Sequence, residues 1–512
     1  MMRTCKNLIA AATLLLVSAS AADWLTDGGD PQRTGWQRDE KILTKDNVKD
    51  MTVRWKLKLD NEPREMHSLL PPVIVSNVPT KGGLKEIVIV AGSGDNVYGI
   101  DAATGIMMWK KHFNYTSDKP ARMGGPLCPG GLVVTPTIGP AGTNGQRTAY
   151  SVSGDGMMHF LNVADGEDLA PPSSFMPPNG KAYSLNLYNN KLYTTSAQGC
   201  GGNPNMIYSF DLATKTTAKF NPKGGGLWGR SGAAVGFDGT IYAPTGDALY
   251  DPSQERYGNL MIAVTPDLQY KDHYAPTNVA FLWKRDLDMQ VTPAVFKYKG
   301  REMLVSSCKE CRIWLMDSKN MGGEDHRTPL YRTPLMCNED VNFAAAGVWG
   351  SMATWEGNDG TRWILNSFWG PVHSQFKPPV SYGVVTRGAV VAHKVEEKNG
   401  KFVLTPTWMT HDMDMAEPPV VANGVVYAYG SGESNVQATP EQGLGANTSA
   451  QRIKNSSHAT VYAFDAETGK ELWSSGNSVT SFVHFGALSI SNGRVYLGAF
   501  DGTLYSFGLP GR

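Results

Sequence analysis

The chain has 512 residues, with 47 Lys plus Arg balanced by 47 Asp plus Glu and a formal net charge of zero. There is thus no basic field of the kind that holds nucleic acid, and no nucleic-acid partner is expected. Its 56 glycines and 18 % charged residues depart from average usage of about 7 % and about 25 %, while a hydrophobic share of 41 % excludes disorder and describes a turn-rich, β-heavy chain with a large core.

At the N-terminus Arg3 and Lys6 precede the apolar run 8–17, and Ala19-Ser20-Ala21 supplies the small residues that a signal peptidase accepts. The expectation is an exported protein, periplasmic or secreted, with residues 1–21 as a signal peptide and 22–512 as a single domain. The run is shorter than the ~20 residues of a membrane span, and no later stretch suits one. Cleavage would leave Cys128, Cys200, Cys308, Cys311 and Cys337, an odd number, so at least one thiol stays unpaired or pairs between chains. Cys308-x-x-Cys311 invites a metal or redox reading, but Arg312 stands where haem attachment needs His. The flanks read as a strand, on which residues three apart face opposite sides, so separately paired or buried thiols are the expectation.

Internal repeats replace the prior of three domains that length alone suggests. VYGIDAATGIMMW ends at Trp109 and VYAFDAETGKELW at Trp473. Each reads as a strand, an Asp-x-x-Thr-Gly turn and a return strand closed by Trp. In this hairpin Asp101 or Asp465 bonds the turn backbone, Gly105 or Gly469 takes positive φ, and the Trp packs between sheets. Degenerate copies are marked by Asn162, Asp211, Thr265-Pro266, Asp317, Lys394 and Gly508. Eight units at steps of roughly 40 to 75 residues predict an all-β, eight-bladed β-propeller of four-stranded antiparallel sheets with almost no helix. A segment before the first repeat is expected to complete the last sheet and close the ring. Connectors such as 45–50 are expected to be loops or single helical turns. The polar insertion 432–457 reads as a solvated loop, or as a mobile lid.

A propeller gathers the residues just before its innermost strands at one channel mouth. In this sequence those are His67, Arg230, Asp286, Asp288, Trp349, Asp412, Asp414, Glu417 and His484. Arg285-Asp-Leu-Asp-Met-Gln and His411-Asp-Met-Asp-Met-Ala nearly repeat each other. No Gly-Lys-Ser/Thr phosphate loop, His-Glu-x-x-His, complete Gly-x-Gly-x-x-Gly or Gly-x-Ser-x-Gly is present.

The strand-Asp-x-x-Thr-Gly-x-x-x-Trp unit resembles the tryptophan-docking repeat of the quinoprotein dehydrogenases, eight-bladed propellers that hold pyrroloquinoline quinone (PQQ). The Asp-Leu-Asp stretch and Cys128-Pro-Gly-Gly look most like the polyvinyl-alcohol dehydrogenase branch. The resemblance implies an alcohol-oxidising enzyme in which Asp288 or Asp286 takes the substrate hydroxyl proton, with loop-end solvation as the plain alternative. It implies that Lys309 meets the quinone oxygens, where a lone strand lysine would otherwise point to water, and that Trp369-Gly370 lies near the cofactor, with inter-blade packing as the plain alternative; Arg230 and Trp349 are expected at the cofactor site too. Asp247, standing where the family has a metal-binding Asn, implies a Ca²⁺ ligand. The family's disulfide between adjacent cysteines is absent, and so is Cys-x-x-Cys-His. Electrons from a small-molecule or polymeric alcohol would therefore leave to a separate cytochrome c or other acceptor. The alternative implied by the same repeats is a propeller without quinone that serves as a binding or assembly scaffold.

Overall fold

The computed structural model describes residues 21–114, 125–128, 130–439 and 445–511; the expected signal segment up to residue 20 lies outside them. Each repeat forms one antiparallel blade, and eight blades follow in chain order. Blade one runs outward through Val73–Thr80, Gly83–Gly92, Asn96–Asp101 and Met107–His112. Blades two to seven begin at the innermost strands Thr137–Ile138, Asn186–Tyr188, Ala234–Val235, Ala294–Tyr298, Ala353–Glu356 and Val420–Ala422. Blade eight contributes Ser489–Ser491, Arg494–Gly498 and Thr503–Gly508, and its outer strand is Thr52–Lys58 from before the first repeat. That pairing closes the ring by tying the start of the chain to its last repeat. Helix is confined, among the described residues, to α1 (Val279–Lys284), α2 (Ser449–Asn455) and short 3₁₀ turns, one of them Val48–Asp50.

The turn chemistry read from the repeats is the chemistry that joins the blades. Asp101 Oδ1 accepts from the N–H groups of Ala103 and Thr104, and Asp465 Oδ1 from those of Glu467 and Thr468. Gly105 and Gly469 sit at φ 71° and 73°. Their missing side chains make room for a neighbouring blade's indole: a Cβ on Gly469 would lie 2.6 Å from Trp408, and one on Gly105 2.6 Å from Trp55. The indole N–H of Trp408 then donates to Ala466 O, that of Trp55 to Ala102 O and that of Trp109 to Val163 O. A local turn and a buried aromatic thus form one joint, repeated around the ring. The Lys394 marker is displaced. It lies inside the strand Gly388–Lys398, and the chain turns at Asn399 and Gly400, because blade six uses strands of 11 and 9 residues.

The segment 24–37 is a belt inside the channel that meets all eight blades in order. Trp24 exchanges backbone hydrogen bonds with Ile74, Leu25 O accepts from Ile138 N–H, and Thr26 Oγ1 donates to Leu185 O. Pro31 O, Gln32 O, Thr34 O and Gly35 O then accept from Val235, Val295, Thr354 and Val421, and Gln37 reaches Ile490 O. Arg33, 1 % exposed, donates to Leu185 O, Ala233 O and Thr26 Oγ1. The belt satisfies inner-strand groups that a hollow channel would leave to water and fills the channel beyond the ends where those strands begin.

The insertion 432–457 is not a solvated loop in its described residues. Thr448 and Gln451 cap α2 reciprocally, and Arg452 on that helix is 2 % exposed. Its guanidinium donates to Glu433 and Gln437 and, at 2.8 Å, to Glu65 O. A buried cation with carboxylate and carbonyl partners ties the insertion down over the channel.

Candidate active site

One cavity of about 290 Å³ opens where the innermost strands start, on the side of the channel away from the belt. Blade four and the loop into blade five supply its acidic wall. Asp247 follows the strand Ile241–Pro244, and Asp286 and Asp288 lie between α1 and blade five. Asp247 and Asp286 hold left-handed backbone (φ 43° and 54°), a conformation that Asp tolerates better than most side chains. Gly246 permits the close approach: a Cβ there would stand 2.5 Å from Asp288 Oδ1. The Asp247 N–H consequently donates to Asp288 Oδ1 at 2.8 Å. One carboxylate oxygen from each of the three aspartates falls within 4.8 Å of the others.

Lys309, just past the strand Arg301–Ser307, places its Nζ 2.7 Å from Asp288 Oδ2 and 3.0 Å from Asp286 Oδ1. It does not point to water. Burial alone would lower its pKa, but the charges of Asp288 and Asp286 outweigh burial and raise it, so Lys309 is a fixed cation. Burial first, and then the neighbouring carboxylate charges, push Asp247 up to about 8. Burial also raises Asp286, against the lowering pull of Lys309. Asp247 is therefore the acid from which a bound cation would displace a proton.

The other walls are flat and basic. Trp349 faces the cavity, stacked at 4.4 Å and 11° on Trp369, and the Lys309 Nζ lies 5.1 Å from the Trp349 ring centroid. Trp228 faces the cavity as well, beside Asp288, and the Lys181 Nζ stands 5.2 Å from its ring centroid. Arg230 enters from blade four; it donates to Gly486 O and, at 3.2 Å, to Ser351 Oγ, and lies 3.8 Å from Glu417 Oε2. His67 lines the cavity with Nε2 at 3.1 Å from Leu132 O. Burial lowers its pKa to about 3, which leaves it neutral.

Of the residues expected at the mouth, Asp247, Asp286, Asp288, Lys309, Arg230, Trp349 and His67 come together. Trp369, 1 % exposed, stands behind Trp349 rather than at the cavity surface, and Gly370 packs against Ala346. Glu417 and His484 are buried one layer back, the latter 2.6 Å from Glu433. Asp412 and Asp414 are elsewhere. Asp412 accepts from the N–H groups of Thr386 and Arg387, and Asp414 from the Arg387 guanidinium. The two Asp-x-Asp segments share local sequence but not a cation, and the cation decides where each points.

Lys181, Trp228 and Arg452 were not found from sequence. Lys181 stands just before the innermost strand of blade three, so the rule that found Arg230 applies to it; Arg452 comes from the insertion and carries no such signal. Cys128 pairs with Cys200 beside the cavity residues Leu127 and Gln198, Cys311 pairs with Cys337, and Cys308 is a buried free thiol. The Cys-x-x-Cys spacing thus joins one disulfide partner to one inert thiol.

No family model and no curated protein matches the sequence. Solved structures do match in fold. A quinohemoprotein alcohol dehydrogenase from Comamonas testosteroni superposes with a TM-score of 0.58 at 15 % identity over 97 % of this chain and 82 % of that one. A europium-containing methanol dehydrogenase gives 0.60 at 12 % identity over 95 % and 98 %. The quinohemoprotein alcohol dehydrogenase ADHIIG from Pseudomonas putida HK5 gives 0.58 at 14 % over 96 % and 81 %. The chain has the eight-bladed propeller fold that it shares with these alcohol and methanol dehydrogenases.

Proposed function

We propose that the protein is an exported quinoprotein oxidoreductase that oxidises a small-molecule or polymeric alcohol with PQQ and Ca²⁺, passing electrons to a separate cytochrome c or other acceptor. One observation carries the reading: three carboxylates, a fixed lysine and two tryptophan faces line a single cavity at the open end of the channel. The donor set fits a hard cation, which prefers charged oxygen. The flat walls of Trp228 and Trp349 fit a planar ring system, and the volume lies near the ~300 Å³ at which ligand pockets begin. Two disulfides suit an oxidising compartment, periplasmic or extracellular. No helix among the described residues is long and apolar enough to cross a membrane.

When bound, PQQ supplies a carbonyl that accepts hydride, polarised by the metal ion. Asp247 and Asp288 are the residues that would hold the ion. Asp288 is poorly suited to act as base, because one oxygen accepts from Asp247 N–H and the other from Lys309. Asp286 has a side chain 42 % exposed and only Oδ1 tied to Lys309. Its second oxygen is the one free to take the hydroxyl proton from substrate, and its raised pKa brings it closer to neutral pH. Lys309 holds the Asp286 carboxylate in place and would offer a positive charge to a carbonyl oxygen on which negative charge develops.

The test is reconstitution of the apoprotein with PQQ and Ca²⁺, followed by desalting, quinone absorbance and dye-linked oxidation of an alcohol panel. Stoichiometric quinone and activity that falls at least about a hundredfold in Asp286→Asn are expected. Absence of bound quinone at micromolar concentration refutes the enzyme reading and favours a scaffold.

A further inference from the structure

The cavity's cations differ in one respect. Lys309 has two aspartates, Arg230 has Gly486 O, Ser351 and Glu417, and Arg452 has Glu433, Gln437 and Glu65 O. Lys181, 7 % exposed, has its Nζ buried with no hydrogen-bond partner, resting over the Trp228 ring. An ammonium left unpaired in the interior is strongly disfavoured. Burial and the Arg452 charge lower its pKa to about 7, and no carboxylate of the acidic wall counters them. The cavity is therefore polar along its length: aspartates and Lys309 at one end, Lys181 and Arg452 at the other, with Trp228 reaching from Asp288 to Lys181. The indole N–H of Trp228 is a second buried donor without a partner.

We propose that Lys181 is the anchor for a carboxylate of the ligand at the end of the cavity away from the three aspartates. The assignment rests on the quinoprotein reading and deepens it. PQQ is a flat ring system bearing carboxylates, so an anion completes Lys181 while the rings lie along tryptophan and the quinone oxygens approach Lys309. Lysine suits the role because its four-carbon stem lets the ammonium turn to meet an incoming anion. Neutral His67 and engaged Arg452 leave Lys181 as the cation with capacity to spare.

The experiment measures binding, not turnover. Quenching of tryptophan fluorescence and calorimetry on the full Ca²⁺-loaded chain compare wild type, Lys181→Met and Lys181→Arg, with PQQ and with its trimethyl ester as probes. Losing a charge-assisted contact should weaken PQQ binding about ten- to hundredfold in Lys181→Met. Lys181→Arg should retain most of the affinity, and the ester should bind wild type and Lys181→Met alike. Because the methionine removes an unpaired buried charge, the Lys181→Met apoprotein should unfold at a urea concentration equal to or above that of wild type, which separates lost binding from lost folding. Equal PQQ affinity of wild type and Lys181→Met refutes the anchor alone. A wild-type chain that binds no PQQ refutes the quinoprotein reading and the anchor with it.

Discussion

Replacing Lys309 with methionine tests the electrostatics of the acidic wall directly. At 2.7 Å from Asp288 and an effective dielectric constant of 20, the pair interaction is about 6 kcal/mol. Asp286 adds little, about 1 kcal/mol or less, because its side chain is 42 % exposed. Desolvating the lysine offsets several kcal/mol of this. The net expected loss in Lys309→Met is about 3–5 kcal/mol at pH 7.5, most of it from leaving Asp288 buried and unpaired. The sign with pH follows from the carboxylates. Lys309 has a raised pKa, so its contribution is complete below the unfolded value near 10.4 and lost only as pH rises through the folded value. Over pH 4–8 the lysine's own charge does not change, so any pH dependence comes from its partners. Asp247 and Asp286 have raised pKa values, so they disfavour the folded state more as pH rises above the unfolded value of about 3.9. The deficit should accordingly be small at pH 4.5 and full at pH 8. Urea unfolding of the apoproteins, followed by tryptophan fluorescence at both pH values, reads this, and added Ca²⁺ should rescue the variant more than wild type. A deficit below about 0.5 kcal/mol at pH 7.5, or one that does not change with pH, refutes the account.

Ca²⁺ affinity measured by calorimetry should climb from pH 5 and level only above pH 8, because Asp247, raised to about 8, must lose its proton to bind the ion; a flat profile contradicts the assignment of Asp247 as ligand. Gly469→Ala should destabilise the propeller by about 2 kcal/mol or more through left-handed strain and the 2.6 Å approach to Trp408. Gly476→Ala, where a Cβ meets nothing within 4 Å, should cost only the strain of about 1 kcal/mol, and equal midpoint shifts for the two would refute the docking joint. Cys308, buried and with its thiol pKa pushed up by burial, should resist iodoacetamide in the native protein and react on unfolding; rapid native labelling would contradict its burial.

The repeats were legible because their information is local. Asp-x-x-Thr-Gly fixes a turn by bonds spanning two or three residues, and a Trp four residues on marks the joint, so eight blades and ring closure followed from the sequence. Lys394 missed its turn because strand length, which cross-strand pairing sets, moved the turn to Asn399. The site was half legible. Residues before innermost strands converge in any propeller, which located Arg230, Asp286, Asp288 and Trp349, and the same rule applied to blade three would have reached Lys181. What only the tertiary structure decided is which charge meets which. Asp286-Leu-Asp288 and Asp412-Met-Asp414 are near copies, yet Lys309 from the next blade holds the first at the cavity and Arg387 holds the second away from it. Arg452 pairs with Glu433 within the insertion and crosses from it to Glu65, and the belt 24–37 finds one partner in each of eight blades. Periodicity records how a strand turns back on its neighbour; the pairing of a cation depends on contacts beyond the hairpin, 23 residues apart for Lys309 and Asp286 and 387 for Arg452 and Glu65, which no local pattern encodes.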